Sequence, residues 1–268
     1  MLLEYNEFED ELEKTIYRNS KADLLNKLAE NPDRYVGLFR TTSPELKLIQ
    51  NITQSHEISF GDFIENIITT YLGIFYENLP KRARYNNEDI MFDQLFLFGN
   101  EVYMIEQKIR DDHDSTKKRG QLTNFISKVN YLKETYPNKE IIASMWFVDD
   151  SLKKNKKYYL DMVEQYRLED NRTTLNIFYG NQLFEFLDKM IIWEEMVQYL
   201  TQWKEFEANS IELNFEIDWE ETKQEIINNV SKRNWRKLLS DERIVENIFP
   251  ILFPNNKYNE IVLNDLIN

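Results

Sequence analysis

Asp93, Glu106 and Lys108 are the residues of this 268-residue chain whose types and spacing could do chemistry together. They lie in two runs rich in β-formers, residues 90–98 and 101–109, separated by Gly99-Asn100. A glycine-containing pair between two apolar runs predicts a tight β-hairpin. With a two-residue loop, paired residue numbers sum to 199, so Asp93 faces Glu106. Directly opposed Cβ atoms lie about 4.5–5.5 Å apart. Lys108, two residues beyond Glu106, shares that face with Met91, Leu95, Leu97, Val102 and Met104. Two carboxylates and an ammonium are thus expected on an otherwise apolar surface. Opposed like charges destabilise a sheet, and carboxylates on an apolar face lose hydration. A divalent cation between them removes both penalties. Magnesium takes one or two carboxylates and fills its remaining positions with water and phosphate oxygens. It can activate a water and stabilise charge developing on a phosphate. Lys108 could orient that water or neutralise a pentavalent phosphate.

Glu-x-Lys also occurs at Glu45-Leu46-Lys47 and Glu221-Thr222-Lys223, in polar stretches with a helical pattern. There it reads as surface charge. Only the middle copy sits on an apolar strand opposite an aspartate. The alternative for that copy is an incidental hairpin or a structural salt bridge.

Composition narrows the chemistry. The chain has no cysteine, which excludes disulfides, thiolate catalysis and cysteine zinc sites. Its two histidines, His56 and His113, cannot build a multi-histidine metal site. The six glycines form neither a serine-nucleophile elbow nor a phosphate-cradling loop, so no nucleotide cofactor is expected. No apolar run reaches the roughly 18 residues of a membrane span. The start, MLLEYNEFEDELEK, lacks the basic and apolar regions of a signal peptide, so a cytoplasmic location is expected.

The net charge of −14 argues against a nucleic-acid partner. Its distribution argues otherwise. Residues 81–157 hold 15 Lys and Arg against 12 Asp and Glu, a charge of +3; the remainder holds 18 against 35, or −17. Three basic clusters lie in the middle: Lys81, Arg82 and Arg84; Lys117, Lys118 and Arg119; Lys153, Lys154, Lys156 and Lys157. Each is a candidate phosphate contact, although a solvated charge run is the more common explanation of such clusters. His113 is expected in a solvent-exposed loop, and His56 just ahead of a helix.

The elements that would position these residues follow from periodicity. Residues 1–55 read as helical, with a helix start at Ser43-Pro44-Glu45. A second helix is expected from 59 to 78, stopped by Pro80. After the hairpin come a helix over 121–135, a buried strand over 140–149, a helix around 158–168, a strand over 174–179 and a helix through 187. The chain from 193 onward looks helical and acidic. The expected fold is α/β: a mixed sheet flanked by helices, with helical extensions at both ends. One domain is expected, with a catalytic core over 56–190 between extensions at 1–55 and 191–268.

Asp93, twelve intervening residues and then Glu106-Gln107-Lys108 resembles the PD-(D/E)xK nuclease superfamily. The helix–hairpin–helix–strand order over about 56–180, half the chain, is similar to that superfamily's core. Phe92 stands where the family pattern has proline. The resemblance implies a restriction-endonuclease-like core that hydrolyses DNA phosphodiesters with Mg2+. It implies Asp93, Glu106 and Lys108 as catalytic residues, with Asp93 and Glu106 on the metal. Glu65 matches the additional acidic ligand on the preceding helix, although a plain surface glutamate is the competing reading. Gln121 matches a polar residue that reaches the site from the next helix. A chain with this core and no helicase or zinc motif resembles an orthodox type II restriction endonuclease. Such enzymes act on double-stranded DNA, commonly as homodimers that match a palindrome. The alternatives are a repair or transposition nuclease of the same fold, and a non-catalytic acidic protein such as a DNA mimic or inhibitor.

Overall fold

The β-hairpin forms where its turn residues put it, because Gly99 can take the left-handed conformation (φ +59°) that the tight turn needs. In the computed structural model, which describes residues 1–18, 20–112, 114–167, 173–206 and 212–267, this hairpin seeds a mixed sheet. Four helices precede it: α1 (Tyr5–Tyr17), α2 (Ser20–Glu30), α3 (Asp33–Val36) and α4 (Pro44–Gly73). The strands are β1 (Glu77–Asn78), β2 (Arg82–Tyr85), β3 (Glu88–Met91), β4 (Gln94–Phe98) and β5 (Glu101–Lys108). Then come α5 (Ser115–Thr135), β6 (Glu140–Phe147), α6 (Lys156–Arg167), β7 (Thr173–Tyr179), α7 (Gln182–Phe186) and α8 (Met190–Phe206). After them come α9 (Trp219–Asn229), α10 (Lys232–Ser240), α11 (Glu242–Asn247), α12 (Phe249–Leu252) and a 3-10 turn at Lys257–Glu260.

The five-stranded sheet has the order β1-β4-β5-β6-β7. β1, β4 and β5 are antiparallel neighbours, whereas β5, β6 and β7 are parallel. Each parallel step returns through a helix, α5 and then α6, as parallel pairing requires. Alternation sorts the side chains. Val102, Met104, Ala143, Met145 and Phe147 pack with Phe125, Val129 and Leu132 of α5 and with Tyr159 and Val163 of α6. The fold is therefore α/β, a central mixed sheet flanked by helices, consistent with a restriction-endonuclease-like core.

The chain divides into two compact units. One contains Met1–Glu9 and Gly61–Trp203, with the sheet and its core. The other contains Asp10–Phe60 and Lys204–Asn268. Its own core gathers Leu25, Leu28, Tyr35, Ile226, Trp235, Leu238, Phe249 and Phe253. The boundary falls inside α1, α4 and α8.

Several boundaries differ from the sequence pattern. The helix starting at Pro44 does not stop before His56; α4 continues through it to Gly73. It ends before Pro80, and residues 77–78 form β1 instead. The run 90–98 is not one strand: β3 ends at Met91 and β4 begins at Gln94. β3 pairs with β2, a separate two-stranded ribbon. The helix expected from 121 starts at Ser115.

Candidate active site

The register of the hairpin is the expected one, with Phe98 opposite Glu101 and Gln94 opposite Ile105. Asp93 lies one residue before this ladder, where the chain passes from the β2–β3 ribbon to the main sheet. The backbone N–H of Phe92 still donates to Lys81 O of that ribbon at 2.8 Å. Gln94 then anchors β4 to α4: its Nε2 donates to Glu65 O, and its Oε1 accepts from Thr69 Oγ1, both at 2.8 Å. Asp93 continues the ladder with its side chain, because the backbone N–H of Gln107 donates to Asp93 Oδ2 at 2.7 Å. Because the strand breaks here, Met91 does not join the apolar face. It is 52% exposed on the ribbon, whereas Leu95, Val102 and Met104 are buried.

Glu106 is buried and held on both oxygens. Lys108 Nζ donates to Oε1 at 2.8 Å, and Lys128 Nζ, from α5, donates to Oε2 at 2.5 Å. Lys108 Nζ also donates to Gln107 O at 2.6 Å and reaches Asp93 Oδ2 at 3.4 Å. Two carboxylates therefore face two ammonium groups in a partly dry setting. Burial pushes the Asp93 carboxyl upward, and the charge of Glu106 adds to the rise. Burial also pushes Glu106 up, but Lys108 and Lys128 together outweigh it and hold that carboxyl below its usual range. Burial pulls Lys108 down, and the two carboxylates more than reverse this. The result is one easily protonated carboxyl beside one firmly ionised carboxylate.

Lys128 carries little signal in the sequence. It adjoins the apolar stripe of Phe125, Val129 and Leu132, and only the docking of α5 on the sheet brings it to Glu106. Among the described residues no group of three or more His, Asp or Glu side chains gathers as a metal cluster. The protein-side donors here are the two carboxylates, a number that suits magnesium. Asp93 Oδ1 has no partner among the described residues.

The Glu65 carboxylate is paired with Lys81. Its Oε1 accepts from Lys81 Nζ at 2.8 Å. Lys81 is thereby tied to α4, while Arg82 and Arg84 stand exposed on β2. Gln121 is engaged by Tyr159, whose hydroxyl donates to its Oε1 at 3.1 Å.

The other two basic clusters are brought together. Lys118 Nζ lies 4.5 Å from the centre of the Tyr158 ring, at the start of α6. Lys153 and Lys156 lie over Tyr179, at 5.7 and 5.6 Å. Lys154 Nζ reaches Asp112 O at 3.3 Å, and Lys157 is exposed. The cause is Asp111, a fully buried carboxylate that the sequence pattern hides in a polar loop. It accepts from Asn155 N, Asn155 Nδ2 and Tyr179 Oη, each at 2.9 Å. It thus pins the lysine-rich loop beyond β6 to the end of β5. Arg119 is exposed; His113 and the side chain of Lys117 lie outside the described residues.

Glu106 and Lys108 occupy the carboxyl end of β5, alongside the carboxyl end of the parallel strand β6. Open α/β sheets bind ligands at that end. The family model described as "Type II restriction endonuclease, HinfI" matches residues 4–83 and 75–204, most of the chain. No curated protein and no solved structure matches the chain. With the mixed sheet, the hairpin site and this match in place, the chain belongs to the HinfI family of type II restriction endonucleases.

Proposed function

We propose that this protein is a Mg2+-dependent type II restriction endonuclease, hydrolysing phosphodiester bonds in double-stranded DNA at a specific short sequence. Asp93, Glu106 and Lys108 are its catalytic residues. The observation that carries the reading is the cluster at the mouth of the β4–β5 hairpin, where Asp93 and Glu106 share Lys108 within a family of restriction endonucleases.

Asp93 and Glu106 fit a magnesium ion, because the open oxygen of Asp93 and the mutual repulsion of the pair are what a divalent cation would use and relieve. When bound, the ion supplies an activated water and charge stabilisation at the phosphate. Lys108, freed from part of its contact with Glu106, orients the attacking water and offsets charge on the phosphate. Lys128 keeps the second oxygen of Glu106 in place. Glu65 is a further candidate ligand once Lys81 turns to a phosphate. Lys81, Arg82, Arg84, Lys117, Lys118, Arg119, Gln121, Lys153, Lys154, Lys156 and Lys157 form the candidate DNA-facing set of this unit. A homodimer would match a palindromic site.

Digestion of a DNA of known sequence, with and without Mg2+, tests this. Discrete fragments that require the metal and vanish in Asp93→Ala are expected. Metal-independent binding with no cleavage of any DNA would favour a non-catalytic protein. A smear without fixed ends would favour a repair nuclease.

A further inference from the structure

Helix α10 carries Lys232, Arg233, Arg236 and Lys237 and no acidic residue. It does so in a unit whose sequence holds 21 Asp and Glu against 15 Lys and Arg. At 3.6 residues per turn these four positions span an arc of about 140°. Trp235 and Leu238, both buried, lie on the opposite side. Arg233, Arg236 and Lys237 are exposed, and among the described residues these three pair with no carboxylate.

For a helix alone this arrangement is unfavourable. Like charges repel at i,i+4, here Lys232 with Arg236 and Arg233 with Lys237. Cations in the first turn also oppose the positive end of the helix dipole. A chain with a net charge of −14 has many carboxylates and places none on this helix. The helix is nevertheless firmly held. Ser231 caps it by accepting from Asn234 N, and Trp235 stacks on Phe249 at a ring separation of 6.2 Å. A rigid, one-sided row of cations is complementary to a polyanion, which would reverse both penalties.

We propose that α10 is a DNA-docking helix whose outward face contacts phosphates of the duplex substrate. This rests on the reading of the chain as a DNA-cleaving enzyme. The family match ends at residue 204, so it assigns α10 no role. Phosphate contacts would hold the protein on DNA without reading its sequence.

The test is fluorescence anisotropy of a labelled duplex of arbitrary sequence, titrated with the full chain across a salt series without added metal. The Arg233→Gln/Arg236→Gln/Lys237→Gln variant is compared with the unaltered protein. Each lost phosphate contact lowers the log–log salt slope by about 0.9, so the slope should fall by about 2 to 3. Binding at low salt should weaken about tenfold or more, while the matching Arg→Lys variant keeps the slope. A folded triple variant with unchanged slope and affinity overturns the proposal for α10 and leaves the nuclease reading standing. Failure of the unaltered protein both to bind duplex and to cut it overturns both. If the triple variant does not fold, amine-reactive footprinting of Lys237 in the unaltered protein decides. Protection by duplex supports the docking role, and unchanged reactivity overturns it.

Discussion

Lys128 of α5 meets Glu106 of β5 at 2.5 Å, and both side chains are more than nine-tenths buried. The pair joins the crossover helix to the candidate catalytic strand. Removing one member of a buried pair strands the other charge, at a cost of about 3–5 kcal/mol. Lys128→Met should therefore destabilise the protein by roughly that amount, as read by denaturant unfolding. Adding Glu106→Gln should restore part of the loss. Additive losses in the double variant would show that the two groups are not coupled.

Asp93 behaves in the opposite sense. Burial first, and then Glu106, raise its pKa, so the folded state favours its protonated form. That contribution is present at acidic pH and is lost as pH rises through the raised value. Glu106 is held low by its lysines, so its contribution is present above the usual glutamate range and is lost on acidification. Asp93→Asn keeps an acceptor for Gln107 N and removes the like charge. It should raise stability at neutral pH in metal-free buffer, by on the order of 1 kcal/mol, while abolishing cleavage. Thermal unfolding at pH 5 and pH 8 checks this. A gain that is larger at pH 5 than at pH 8 contradicts the sign.

Lys108 separates chemistry from packing. In Lys108→Met, duplex binding should persist and cleavage should fall by at least about a thousandfold, the scale for a lost transition-state contact. Single-turnover cleavage beside a binding titration checks it. Normal cleavage in a protein of lowered stability would reduce Lys108 to a structural cation.

The lysines near Asp111 offer a fourth test. Neutralising Lys117, Lys118 and Arg119 together should flatten the salt dependence of binding and weaken all sequences alike, leaving base preference intact. Asp111→Ala removes one acceptor shared by Tyr179 and Asn155. It should destabilise the fold by about 1–3 kcal/mol, and it should loosen the loop at Lys153–Asn155, read as faster amide exchange there. Unchanged exchange in that loop would show that Asp111 does not hold it.

The hairpin was legible in the sequence because its determinants are local. Gly99-Asn100 permits one tight turn, and a two-residue period then fixes which residues face each other. Glu106 and Lys108 share a face for that reason, whereas Asp93 falls one residue before the ladder and reaches Gln107 N with its side chain. The start of α4 at Pro44, the strand β6 and the α/β class follow from equally local signals. What the sequence could not supply is which surfaces meet. Residues 90–98 make two strands because β2 captures 88–91 in a second hairpin, turned at Asn86-Asn87 with both residues at positive φ. Lys128 becomes a partner of Glu106 only when α5 packs on the sheet, because a helix face has no address of its own. Asp111 looks like a loop residue until Asn155 and Tyr179, 44 and 68 positions away, close around it. Turn and period are settled by neighbouring residues, whereas charge partners are settled by the tertiary fold.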